Sequence, residues 1–215
     1  MIKKQRSKQA MAKSRGFRLL ALGDSYTIGE GVSSEHCWPN LLAQQLRQSG
    51  FSCEPPVIIA QTGWTADELL KGLLTVNPTP SFHLVTLLIG VNNQYRGQSP
   101  SDYQQEATVL FREIRKVFLN IPLIVLAIPN WSLSPFAQGR NLDQITNDIE
   151  AFNRINQQLA HQFNGFWYNQ IGLSTDRKTP LQGYTADGLH HDKDVYAHWA
   201  RGIYGVLCRE NFLAL

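Results

Sequence analysis

The sequence predicts a doubly wound α/β fold, with five parallel strands under helices on both faces. Three observations carry that prediction. Continuous apolar runs near residues 19–22, 57–60, 82–89, 122–128 and 166–168 have the length and unbroken character of strands buried on both faces. Each run is followed, after a connection, by a segment with apolar residues three or four positions apart, as an amphipathic helix requires. No internal repeat or composition break divides the 215 residues, so the layers form one domain.

Taken in order, residues 38–50 place Trp38, Leu41, Leu42 and Leu46 on one helical face before Ser49-Gly50 closes it. Pro55-Pro56 introduces the second strand, and Thr65-Ala66-Asp67-Glu68 opens the next helix with acids in its first turn. Asn77-Pro78 stops that helix. The run 82–89 is the most apolar and reads as the central strand. A helix over 102–119 follows, then the fourth strand, a long loop over about 129–143, and a helix over 144–162. Residues 172–188 read as irregular. Val195, Trp199, Ile203, Val206 and Leu207 mark a last helix over 192–209, in which Tyr196 and Trp199 read as core.

Charge is unevenly spread. Residues 1–18 hold seven of the 20 basic side chains and no acid, leaving 13 basic against 17 acidic groups in the rest. The net charge of +3 therefore belongs to a leading segment, residues 1–16, which reads as a solvated tail ahead of a domain over 17–215. A nucleic-acid partner is not expected on that composition. No apolar stretch is long enough for a secretory signal or a membrane helix, and three widely spaced cysteines suit reduced thiols, so the expected location is cytoplasmic.

The chemistry gathers where strands end. The first delivers Gly23-Asp24-Ser25, the second Gly63, the third Gly90-Val91-Asn92-Asn93, and Asp187-Gly188-Leu189-His190 precedes the last helix. Carboxyl ends of parallel strands share one edge, so these segments can converge. Ser25 is a nucleophile candidate, His190 a base with a suitable ordinary pKa, and Asp187 a carboxylate able to orient its ring. The Ser25 and Gly63 N–H groups and the Asn92 amide suit an oxyanion. Asp24 is the rival for orienting the histidine, though capping the loop beside Ser25 is its simpler role. His191 reads as a surface residue at the helix start. A His190-His191-Asp192 metal cluster lacks ligand spacing, and no metal or cofactor is expected.

These four blocks, in this order, resemble the SGNH/GDSL hydrolase family over about residues 17–210. The resemblance implies a flavodoxin-like three-layer fold and metal-free hydrolysis of esters or thioesters. It implies Ser25 as nucleophile, His190 as base, Asp187 as its orienter, and Ser25, Gly63 and Asn92 as oxyanion donors. One departure stands out. The third block commonly reads Gly-x-Asn-Asp, and Asn93 replaces the aspartate, altering either the bracing of the loop or the choice of substrate.

Trp64, Asn93, Trp131, Phe136 and Arg140 are candidates for contact with a small ester substrate, against loop packing for Trp64 and Phe136 and a solvated charge for Arg140. An O-acyltransferase acting on a sugar or lipid alcohol would need the same machinery. A flavodoxin-like module holding a phosphate on Ser25, Tyr26 and Thr27 would leave Asp187 and His190 without a role.

Overall fold

The computed structural model describes residues 16–170 and 183–213. The basic segment expected over residues 1–16 lies, apart from Gly16, outside the described residues, as does most of the irregular stretch 172–188. Leu19–Gly23 (β1), Val57–Ala60 (β2), Leu84–Leu88 (β3), Leu123–Leu126 (β4) and Phe166–Tyr168 (β5) form one parallel sheet in the order β2-β1-β3-β4-β5. Every residue of β1, β3 and β4 is buried, whereas the edge strand β5 is half-buried along its length. That gradient explains why the 82–89 run is the most apolar and the 166–168 run the least distinct.

The helices are Ser25–Ile28 (α1), Trp38–Gln48 (α2), Ala66–Val76 (α3), Val91–Tyr95 (α4), Pro100–Val117 (α5), Leu142–Gln162 (α6) and Lys193–Arg209 (α7). α2 packs against α7, while α5 packs against both α3 and α6, giving helical layers on the two faces of the sheet. Their starts follow from local chemistry. A capping box between Thr65 and Glu68 opens α3, and Ser99, Asn141 and Asp192 cap α5, α6 and α7. α1 and α4 lie within the two glycine loops and have no counterpart in the sequence reading, because four or five residues are too few for a helical period to show. The long loop likewise contains two 3₁₀ turns, Trp131–Leu133 and Pro135–Ala137.

The strand order sets the position of the site. From β1 the chain moves outward to β2, then returns past β1 to β3 and continues the other way. The connections after β1 and β3 therefore diverge, leaving a crevice at the carboxyl edge of the sheet. No helix among the described residues is long and apolar enough to cross a membrane.

Candidate active site

Ser25 stands in that crevice as the first residue of α1, which follows β1 after a single intervening residue. The turn runs against β3: a Cβ on Gly23 would lie 2.5 Å from the Leu88 carbonyl oxygen, so the backbone approach excludes any larger residue. Asp24 caps α1 by accepting a hydrogen bond from the Tyr26 N–H at 3.0 Å. Its carboxyl is fully buried and its second oxygen has no donor among the described residues, so burial pushes its pKa up to about 7 despite that bond.

His190 reaches Ser25 from the other side of the crevice. Its Nε2 lies 2.8 Å from Ser25 Oγ, and its Nδ1 lies 2.6 Å from Asp187 Oδ2. Serine and histidine are nearly buried, at 4% and 7% exposure, while Asp187 remains open to solvent. Partial burial opposes ionisation of Asp187. The His190 ring, the Leu189 and His190 N–H groups and the Thr185 hydroxyl all bond its oxygens and hold the carboxyl well below the usual carboxylate range. Tyr26 supports the imidazole, its ring centroid 5.0 Å away. A hydroxyl bonded to an imidazole, whose far nitrogen is fixed by a carboxylate, can lose its proton to that imidazole as it attacks.

Gly63 ends a turn closed by a hydrogen bond from Trp64 N–H to the Gln61 carbonyl. Its φ of +85° suits the third residue of a type II turn, which favours glycine. The Asn92 amide donates to the Trp64 carbonyl at 2.9 Å, and Arg96 donates to the Gly63 carbonyl at 2.7 Å. The segment after β2 is thus tied to the segment after β3, and among the described residues the Asn92 amide donates no second hydrogen bond. Among the described residues no group of three His, Cys, Asp or Glu side chains is placed to hold a metal ion.

The sequence model of the GDSL-like lipase/acylhydrolase family matches residues 21–198, from β1 into the final helix. The chain belongs to that family. Solved structures agree on the fold. TesA superposes with a TM-score of 0.67 at 22% identity, covering 88% of this chain and 97% of its own. The psychrotrophic esterase EstA from Pseudoalteromonas sp. gives 0.65 at 18% identity, covering 90% and 98%. The acetyl xylan esterase AlAXEase gives 0.69 at 18%, covering 89% and 100%. No match was found among curated proteins.

Within this GDSL-like hydrolase the remaining candidates separate by burial. Asn93 is 1% exposed and its amide is engaged at both ends. Its oxygen accepts from the Ala66 N–H at 3.0 Å, and its nitrogen donates to Gln98 at 2.6 Å and Glu106 at 3.1 Å. The geometry thus favours bracing over substrate contact. The Trp64 ring lies over Gly72 of α3, which is the loop-packing role. Trp131 is buried and donates from its indole to Gln94 at 2.8 Å. Phe136 is half-buried and Arg140 exposed, and they meet Tyr95, which sequence reasoning missed. Its position three residues beyond Asn92 was the available signal, readable only once α4 is known to be helical.

His191 corrects the surface reading. It is half-buried among Tyr26, Tyr184, Tyr196 and Trp199. Tyr184 and His191 form an antiparallel bridge, and Thr185 N–H donates to the His190 carbonyl. In such extended backbone successive side chains point to opposite sides, so His190 faces Ser25 while His191 enters the aromatic pocket. Burial pushes the His191 pKa down to about 4, against smaller opposing effects of the Gly183 carbonyl and Asp192.

Proposed function

We propose that this hydrolase cleaves carboxylic esters or thioesters of a small substrate through an acyl-enzyme on Ser25. The observation that carries the reading is the unbroken chain of hydrogen bonds from Ser25 Oγ through His190 to Asp187, at 2.8 and 2.6 Å. Ser25 attacks the carbonyl while His190 Nε2 takes its proton. Asp187 holds the ring with Nε2 toward the serine and stabilises the imidazolium. The tetrahedral oxyanion accepts hydrogen bonds from the Ser25 and Gly63 N–H groups and the Asn92 amide. His190 then protonates the leaving alkoxide, and water repeats the path to release the acid.

The test is nitrophenol release from a chain-length series of p-nitrophenyl esters. Ser25→Ala is expected to lower kcat by roughly a thousandfold or more, and the preferred chain length sizes the acyl pocket. Near-full activity in that variant would overturn the mechanism. A phosphonate mimics the tetrahedral intermediate, and monoethylphosphonate is the inhibitor named for the EstA structure. A phosphonate ester is therefore expected to add one covalent phosphonyl group to the Ser25 peptide, read by mass spectrometry.

A further inference from the structure

The long loop after β4 ends in a cation set against three aromatic rings. The Arg140 guanidinium lies 4.9 Å from the Phe136 ring and 5.6 Å from those of Tyr95 and Trp131. The rings also touch one another, with centroids 5.6 to 6.2 Å apart. Arg140 is exposed, and no carboxylate among the described residues pairs with it. Arg18 provides the contrast, since it stacks on Phe82 and is paired with Glu54 at 3.1 Å. Among the described residues Arg140 is thus an exposed cation held on aromatic rings with no carboxylate paired to it.

This cluster hangs from the two segments that carry the candidate active site. The Phe136 N–H donates to the carbonyl of Gly188, between Asp187 and His190 in the chain, at 3.0 Å. The Trp131 indole is fixed by Gln94, and Tyr95 ends α4 three residues beyond Asn92. Aromatic contacts do not use up the N–H donors of a guanidinium, which can still grip two oxygens at once. A side chain held in place beforehand also loses little freedom when it binds.

We infer that Arg140 and its three rings form a subsite for an anionic group of the substrate, a carboxylate or a phosphate carried by the ester. This rests on the esterase reading above and narrows its substrate class. The rings supply apolar surface for the part of the substrate that links the anion to the ester.

Two matched pairs of esters test the inference. Mono-4-nitrophenyl glutarate against 4-nitrophenyl pentanoate places the charge on the acyl side, and 4-acetoxybenzoate against phenyl acetate places it on the alcohol side. In one pair the ratio of kcat/KM, charged over neutral, is expected to fall about tenfold in Arg140→Gln, with a smaller fall in Arg140→Lys. An unchanged ratio in both pairs would overturn a carboxylate subsite, and glycerol phosphate titrations that coincide for wild type and Arg140→Gln would overturn a phosphate one. Binding is read separately from turnover by titrating the tryptophan fluorescence with glutarate and with glycerol phosphate, which distinguishes the carboxylate from the phosphate. A saturable change that Arg140→Gln abolishes supports the subsite, and titrations that coincide for the two proteins reject it. Full activity in Ser25→Ala would remove the esterase reading while the titrations still judged Arg140.

Discussion

At position 93 one carboxamide accepts a bond from the start of α3 and donates to Gln98 and Glu106. Its neighbour Asn92 bonds the Trp64 carbonyl, so two successive asparagines hold the 64–66 segment against the loop after β3. An aspartate, common in this family at position 93, would keep the first bond and set a carboxylate against Glu106, whose other oxygen already accepts from Gln98 at 2.6 Å. Asn93→Asp is therefore expected to lower kcat roughly tenfold or more, because displacing positioned donors by a fraction of an ångström is costly. Adding Glu106→Gln removes the repulsion and should recover most of that loss. Equal kcat in the single and double variants would show that charge at Glu106 is not the cause.

Among the elements, the junction of α5 and α6 depends on one arginine. Arg115 donates to the carbonyls of Phe118, Ile121, Phe163 and Asn164, at 2.6 to 3.2 Å, so it closes the carboxyl ends of both helices. These carbonyls belong to the turns just beyond the two helices, and a cation there also suits the negative end of each helix dipole. Arg115→Gln is expected to cost about 2 kcal/mol and lower Tm by roughly 5 °C. Thermal unfolding followed by circular dichroism checks this, and an unchanged Tm would mean that water replaces the guanidinium at no cost. The short helices α1 and α4 depend on neighbours too, since four or five residues do not hold a helix in isolation.

Across the whole molecule, buried Asp24 and half-buried His191 act on stability with opposite dependence on pH. Folded Asp24 has its pKa raised from 3.8 to about 7, so the folded state keeps a proton that the unfolded chain has lost. Its contribution to stability is present below about pH 4, is lost as pH rises to about 7, and changes no further. His191 has its pKa lowered from 6.5 to about 4, so its contribution is present above pH 6.5 and is lost as pH falls toward 4. The two slopes partly cancel in the wild type. Asp24→Asn removes the first, so its stability relative to wild type is expected to improve between pH 5 and pH 8, on the order of a few kcal/mol. Denaturant unfolding at the two pH values reads it, and equal differences would mean that Asp24 does not keep its proton on folding.

The sequence by itself determined the family and the layered α/β class, and it singled out Ser25, Gly63, Asn92, Asp187 and His190 as candidates. Buried parallel strands are short continuous apolar runs, and the motifs at their ends are contiguous, so both can be read locally. Tertiary structure alone decided the strand order that opens the crevice and the 2.8 Å meeting of Ser25 with His190 across 165 residues. It also decided that Tyr26 packs on His190, that His191 is enclosed by aromatic rings, and that Tyr95, Trp131 and Phe136 gather around Arg140. Those contacts join separate loops and follow no period along the chain, because packing of the sheet and its helices brings the loops together.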